Sequence, residues 1–231
     1  MTNNKIEFKA SQLIWATVSL ILFLGMSSMV MSNSTAINHF DDNVTQWIQT
    51  TFGLPKMDYA HGLFNSWMTF SATYGDAKTM VIVTFIVAIV LFLRRYQILS
   101  LWYLGVVGTG GILGIMMKNL IERSRPQGHL AIDDGFSFPS GHAVSVTLVC
   151  LALVVIFIPM LKKSWAKITS YIVVLLFWFS VLFSRIYFSA HHLTDVLSGV
   201  LLGIFWICIA MAIYGMISVW LKDVIFKKSK I

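Results

Sequence analysis

The sequence predicts an all-α membrane protein whose six helices cross the bilayer as a single domain covering residues 1–231. The chain is 57% hydrophobic and only 12% charged, and its mean hydropathy of +0.78 is far above that of a soluble globular protein. The apolar residues form long uninterrupted runs, whereas the strands of a membrane barrel alternate between apolar and polar residues. Charged residues collect between these runs, as is typical of a polytopic membrane protein.

Six apolar runs are long enough to span a bilayer. The first, about 20 residues long, exceeds the apolar core of a signal peptide, and no small-residue cleavage pattern follows it. We therefore expect it to be retained as a signal anchor. The sixth is long enough to tilt or to leave the membrane. The spans are predicted at about Leu13–Met31, Thr79–Leu93, Leu99–Leu120, His142–Leu161, Ile168–Tyr187 and Leu193–Leu221.

The segment from Ser32 to Asp76 is more polar than the spans on either side of it. Its apolar residues recur at helical spacing, first around Trp47 and again beyond Pro55 around Trp67. This pattern predicts one or two amphipathic helices at the outer interface, with tryptophan at headgroup depth. Such helices would either cap the bundle or admit a lipid to it, and the sequence does not choose between these roles.

Glycines at a spacing of four predict close contacts between helices. Gly110 and Gly114 have this spacing in the third span, and Gly199 and Gly203 have it in the sixth. The third span also carries three further glycines that we assign to packing: Gly105, Gly108 and Gly111.

The distribution of lysine and arginine predicts the orientation of the chain. The net charge of +7 comes from residues in short loops between spans, which is the positive-inside pattern of a membrane protein and not a basic face for nucleic acid. Both termini, with Lys5 among the basic residues, are therefore expected in the cytoplasm. The two cysteines, Cys150 and Cys208, lie within apolar runs and are assigned to packing, not to a disulfide or metal site.

Three polar clusters interrupt the apolar chain, and all three are predicted on the outer face. The first runs from Lys118 to Arg125 and Pro126, at the end of the third span. Together with Arg185 in the third cluster, Lys118 and Arg125 supply three cations for a dianionic phosphoryl group. The alternative is an interfacial basic cluster that reaches toward lipid headgroups, and we assign Glu122 and Arg123 to that structural role.

The second cluster, Pro139-Ser140-Gly141-His142, opens the fourth span. Ser140 is a favourable N-cap, and Gly141 allows a ligand to approach the backbone. The free N–H groups at a helix N-terminus bind anions, and His142 is placed to protonate a leaving oxygen. The alternative is an ordinary turn with a histidine at the interface.

The third cluster contains Arg185, His191, His192 and Asp195. Because His191 and Asp195 are four residues apart, they share one face of a helix. A carboxylate in that position can hold the imidazole N–H and leave the other ring nitrogen free as a nucleophile or base. The alternative is a histidine pair that is satisfied at a helix entrance, and the role of His192 stays open.

In order, these clusters read K-x6-R-P, P-S-G-H and S-R-x5-H-x3-D. This set resembles the motifs of the type 2 phosphatidic acid phosphatase (PAP2) superfamily, which also includes vanadium haloperoxidases. The resemblance implies that His191 is the nucleophile, that Asp195 orients it and that His142 is the acid and base. It also implies phosphate binding by Lys118, Arg125, Ser140, Gly141 and Arg185, with no metal ion or other cofactor.

The leading functional hypothesis is a lipid phosphatase of the plasma membrane with its active site on the outer face. Its substrate would be a lipid phosphate in the bilayer, such as undecaprenyl diphosphate or phosphatidylglycerophosphate; no nucleic acid or obligate protein partner is predicted. One alternative is broad activity on phosphatidate or diacylglycerol diphosphate. Another is an anion or lipid transporter, although transporters place charged sites near the midplane and these clusters lie at span ends.

Overall fold

The computed structural model describes residues 9–130 and 133–230, and these residues form helices joined by short loops. Lys5, which was assigned to the cytoplasmic side, lies outside the described residues. The sixth helix continues through a π turn at Leu153–Phe157 and a 3₁₀ turn at Ile158–Met160. The helices are α1 Ala10–Met31, α2 Thr35–Phe52, α3 Gly62–Tyr74, α4 Ala77–Leu93, α5 Gln97–Ile121, α6 Gly141–Ala152, α7 Ser164–Tyr187 and α8 Leu193–Val224.

The predicted membrane architecture is confirmed. Within the described ranges, five segments are long and apolar enough to cross a bilayer: α1, α5, α6 with its two turns, α7 and α8. The second predicted span differs from the prediction: α4, at 17 residues, meets the length of a span only together with α3, and the two helices are bent by 64° at the break between them, as in a broken span or a re-entrant loop. Asp76 begins α4 at this bend by accepting a hydrogen bond from the backbone N–H of Thr79 at 2.7 Å.

Helix α6 is at the centre of the bundle, where it contacts α4, α5, α7 and α8. Two of the predicted glycine pairs explain how closely its neighbours approach. A Cβ atom at Gly110 would lie 2.5 Å from Leu148, and one at Gly203 would lie 2.7 Å from Thr147. Since both contacts are with α6, the glycines of α5 and α8 allow these two helices to pack closely against neighbouring residues of the same core helix.

The other three glycines of α5 do not have the packing role that the sequence predicted. A Cβ atom at Gly105, Gly108 or Gly111 would meet no described atom within 4 Å. Gly105 and Gly108 are exposed on the surface of the bundle. Of the five glycines, Gly110 and Gly114 are the two at which a Cβ atom would meet described atoms of neighbouring helices within 4 Å.

Helix α2 covers the end of the bundle and contacts both α7 and α8. Its Ile37, Asp41 and Ile48 are buried, whereas Trp47 is 58% exposed. Gln49 connects α2 to the loop between α5 and α6, because its side chain donates to the backbone carbonyl of Gln127 at 3.0 Å. These contacts favour the capping role over the lipid-entry role for this part of the segment.

The three polar clusters share one end of the bundle. At the opposite end, the C-terminal segment meets the loop between α4 and α5, since the backbone N–H of Lys230 donates to the carbonyl of Arg95 at 2.7 Å. The fold therefore separates these basic segments at one end from the three polar clusters at the other.

Candidate active site

The second and third clusters meet where the N-termini of α6 and α8 lie side by side. The backbone N–H of Ser140 donates to the carbonyl of Asp195 at 3.0 Å. Gly199 makes this approach possible, because a Cβ atom there would lie 2.8 Å from the carbonyl oxygen of Ser140 and 2.7 Å from Ala143. Any larger residue at position 199 would separate the two helix ends.

His191 lies in the short loop between α7 and α8 and is only 3% exposed. Its Nδ1 is 3.6 Å from Oδ2 of Asp195, slightly longer than a hydrogen bond. Its Nε2 is 3.4 Å from Nη1 of Arg125. Because a guanidinium can only donate, Nε2 must accept, and the ring proton is therefore on Nδ1, facing Asp195.

The pKa of His191 is lowered to about 4, mainly because the ring is buried; Asp195 opposes this shift, and the nearby cations Arg185 and Arg125 add to it. The imidazole is therefore neutral at physiological pH, with an unprotonated Nε2. A neutral ring with a defined tautomer is the form that a nucleophilic histidine requires.

Arg125 is fixed by backbone oxygens on two sides. It donates to the carbonyl of Ala190 at 2.6 Å and to the carbonyl of Asp134 at 2.8 Å. These contacts join the loop after α5 to the loop before α8. The first cluster is thereby held against His191.

Arg185 is buried near the end of α7, and its side chain is only 4% exposed. Its Nη2 forms an ion pair with Oδ1 of Asp133 at 2.7 Å. Its Nε has no hydrogen-bond partner among the described residues. A buried guanidinium with a free N–H can still bind an anion, and here a carboxylate already occupies part of its donor set.

Lys118 and His142 lie near the side chains of Arg185 and the third cluster. Lys118, in the last turn of α5, is near enough to Arg125, Arg185 and Asp195 to interact electrostatically with them. His142 interacts in the same way with Arg185, His191 and Lys118. The fold thus brings three cations and two histidines from all three clusters to one place.

Ser140 is the N-cap of α6, as predicted, and its Oγ accepts from the backbone N–H of Ala143 at 3.4 Å. Its side chain is fully buried. At Gly141, a Cβ atom would meet no described atom within 4 Å. The first turn of α6 therefore has room for a ligand beside its backbone.

The assignment of Arg123 to an interfacial role was wrong. Its side chain is only 9% exposed and makes ion pairs with Asp195 at 2.7 Å and with Asp41 of α2 at 2.8 Å. The sequence offered one clue that we did not use: Arg123 is two residues from Arg125. Asp41 carried no recognisable signal, because it is far from every cluster in the chain.

His192 precedes α8 and donates its backbone N–H to Oδ2 of Asp195 at 2.9 Å. Burial lowers the pKa of its side chain. It lines a polar cleft of about 760 Å³ together with Arg123, Arg125 and the polar side of α2. His192 thus lines this cleft, whereas the ring of His191 is buried between Arg125 and Asp195.

A family model described as the PAP2 superfamily matches residues 79–218, which include all three clusters. The chain belongs to the PAP2 superfamily. The match covers more than half of the sequence and confirms the resemblance that the motifs indicated.

Two relatives agree with this membership. Phosphatidylglycerophosphatase B of Bacillus subtilis (strain 168) is 33% identical over 144 residues, covering 61% of this chain and 70% of the relative. The crystal structure of a transmembrane PAP2-type phosphatidylglycerolphosphate phosphatase from Bacillus subtilis superposes with a TM-score of 0.71 and 25% identity. That comparison covers 87% of this chain and 96% of the solved one. The chain is thus a PAP2 membrane phosphatase similar to phosphatidylglycerophosphatase.

Proposed function

We propose that this PAP2 phosphatase removes the terminal phosphate of a membrane lipid through a phosphohistidine formed on His191. The position of His191 carries the proposal. Its Nε2 lies beside the cation Arg125, and its Nδ1 lies beside Asp195. Few structural roles require a buried histidine with one ring nitrogen free and facing a phosphate-binding side chain.

In the first step, Nε2 of His191 attacks the phosphorus atom, and the bond from phosphorus to the lipid oxygen breaks. His142 donates its proton to that leaving oxygen. The ring of His191 keeps its Nδ1 proton and so becomes positively charged, and the carboxylate of Asp195 stabilises this charge. In the second step, His142 takes a proton from water, whose oxygen attacks phosphorus. The bond between phosphorus and Nε2 breaks, so that inorganic phosphate is released and His191 is neutral again.

Lys118, Arg125 and Arg185 would neutralise the phosphoryl oxygens during both steps. The first turn of α6, with Ser140 and Gly141, would add N–H donors. Three cations around one phosphoryl group, of which Arg185 is buried, can take the part that metal ions play in many other phosphoryl transfers. We therefore propose that the reaction needs no metal ion.

We propose phosphatidylglycerophosphate as the substrate class, because both relatives are named for this activity. Undecaprenyl diphosphate presents a similar terminal phosphate on a lipid and is the main alternative. Burial of lipid tail methylenes contributes about 0.8 kcal/mol each, so either lipid should greatly outcompete a soluble ester.

A phosphate-release panel with the purified protein in detergent tests the proposal. The panel contains phosphatidylglycerophosphate, undecaprenyl diphosphate, phosphatidate and glycerol 3-phosphate, with and without EDTA. We expect the highest kcat/KM for phosphatidylglycerophosphate, no effect of EDTA and inhibition by vanadate. A His191→Ala preparation controls for contaminating phosphatases. Equal kcat/KM for glycerol 3-phosphate would contradict a lipid substrate, and activity restored by Mg²⁺ after EDTA would contradict metal independence.

A further inference from the structure

Arg123 joins two buried carboxylates from distant parts of the chain. Its Nη1 donates to Oδ1 of Asp195 at 2.7 Å, and its Nη2 donates to Oδ2 of Asp41 at 2.8 Å. Both carboxylate side chains are completely buried. Nη1 also donates to the hydroxyl of Thr194 at 2.7 Å, so both of its N–H groups are committed within this network and are not free to bind a phosphoryl oxygen.

Asp41 also holds the N-terminus of α8. Its Oδ1 accepts from the backbone N–H of Thr194 at 3.1 Å, and its Oδ2 accepts from the hydroxyl of the same residue. The N–H of Thr194 belongs to the first turn of α8, where a helix lacks internal acceptors. A side chain of α2 thus does for α8 what an N-cap residue normally does within its own helix.

These contacts fix the carboxylate of Asp195 at both oxygens. Arg123 holds Oδ1, and the backbone N–H of His192 holds Oδ2 at 2.9 Å. Oδ2 is the atom that faces Nδ1 of His191. The direction in which Asp195 presents its negative charge to His191 therefore depends on Arg123.

The net charge of Arg123, Asp41 and Asp195 also suits their position beside His191. Two carboxylates and one guanidinium leave one net negative charge in a buried place. The histidine beside them gains a positive charge when its other nitrogen is phosphorylated. Such a preorganised charge stabilises the developing cation without reorganisation at the moment of reaction.

We propose that Arg123 is a positioning residue that aligns Asp195 with His191, and that α2, through Asp41, holds Arg123 in place for this purpose. The inference rests on the proposed function in so far as His191 is the nucleophile. It makes α2 a functional part of the active site and not only a cover over the bundle.

The test compares Arg123→Lys and Asp41→Asn with Asp42→Asn. Asp42 is the exposed neighbour of Asp41 in α2, so its replacement makes the same change in charge outside the network. Phosphate release from phosphatidylglycerophosphate is measured per folded protein, with kcat and KM separated. We expect kcat to fall about 10- to 100-fold for Arg123→Lys and Asp41→Asn, because catalysis is sensitive to small misplacements. The KM of these two variants should stay near the wild-type value. Both kcat and KM of Asp42→Asn should also stay near wild type.

Each variant is also combined with Asp195→Asn. If Arg123 and Asp41 act through Asp195, neither should lower kcat further in that background. Unchanged kcat in both single variants, a loss confined to KM, or full additivity with Asp195→Asn would overturn the inference. If Arg123→Lys fails to fold, the near-isosteric Asp41→Asn decides the question. Failure of the proposed function would look different, because Asp195→Asn alone would then keep wild-type activity.

Discussion

Nη1 of Arg125 lies 3.4 Å from Nε2 of His191, so the predicted attacking atom and a cation that we propose to bind phosphate are direct neighbours. In phosphoryl transfer, the nucleophile and the cations must contact the same group. This contact also determines which nitrogen of His191 carries the proton. It is the geometric basis for choosing His191 over the adjacent histidine.

Replacement of His191 should abolish turnover, whereas replacement of His192 should not. His191→Ala removes the only group proposed to bond to phosphorus, and we expect kcat to fall by about 1,000-fold or more. His192→Ala keeps the backbone N–H that holds Asp195, and we expect it to retain most activity. Steady-state phosphate release from the two purified variants checks this. An inactive His192→Ala beside an active His191→Ala would reverse the assignment.

Replacement of Asp133 by asparagine should lower the KM for phosphatidylglycerophosphate several-fold. The carboxylate of Asp133 lies 2.7 Å from Nη2 of Arg185 and competes with a phosphoryl oxygen for that cation. Asn keeps the shape and removes the charge. KM and the inhibition constant of vanadate are the measurements.

Asp134→Asn is the matched control for this change. Asp134 is an exposed neighbour that contacts Arg125 only through its backbone carbonyl. Its replacement should leave KM unchanged. An equal decrease for both variants would indicate a general effect of charge, and an increase in KM for Asp133→Asn would show that Asp133 supports Arg185 instead of competing with substrate.

The stability of the protein should decrease as the pH falls from 6.5 toward 4. The pKa of His191 is lowered to about 4 in the folded protein, whereas an exposed histidine has a pKa of about 6.5. Between these values the unfolded chain binds a proton that the folded state does not, so acid favours unfolding. By pH 5 this costs about 2 kcal/mol, and above pH 6.5 the contribution is constant.

The His191→Gln variant isolates this effect because it lacks the titrating group. We expect the Tm of the wild type in detergent to fall more between pH 7.5 and pH 5 than the Tm of His191→Gln. The other histidines are common to both proteins and cancel in the comparison. Parallel pH profiles would mean that His191 titrates normally.

The active site should be accessible from outside the cell. The positive-inside pattern predicts that the polar clusters lie on the outer face. In a Cys150→Ala, Cys208→Ala background, Asp134→Cys should react with an impermeant thiol reagent added to intact cells. Lys228→Cys, at the opposite end of the bundle, should react only after permeabilisation. The reverse pattern would place the active site in the cytoplasm.

Much of the fold could be read from the sequence because a bilayer imposes long apolar runs on any helix that spans it. The clusters were recognisable because their residue types recur at fixed spacings within short segments. The bend between α3 and α4 was not predicted, because the apolar residues around Trp67 were assigned to an amphipathic helix at the interface and not to a helix that packs in line with the next span.

The ion pairs of Arg123 could not be predicted from the sequence. An arginine near a span end looks the same whether it reaches toward lipid or forms a buried ion pair. The difference depends on Asp41, which is 82 residues away in the chain. Only the folded arrangement of α2 over the N-terminus of α8 brings the two together.

The most direct test of the proposed phosphohistidine on His191 is to trap this phosphoenzyme. Here, ³²P-labelled phenyl phosphate is the substrate, because a phenolate leaves without help from an acid. A His142→Ala variant should then form the intermediate but hydrolyse it slowly, since His142 is proposed to activate the water. After rapid quenching in alkali, we predict an acid-labile, base-stable label on His191 that is absent from the His142→Ala, His191→Ala double variant. A label on another residue, or no label together with continued phosphate release, would contradict the phosphohistidine mechanism.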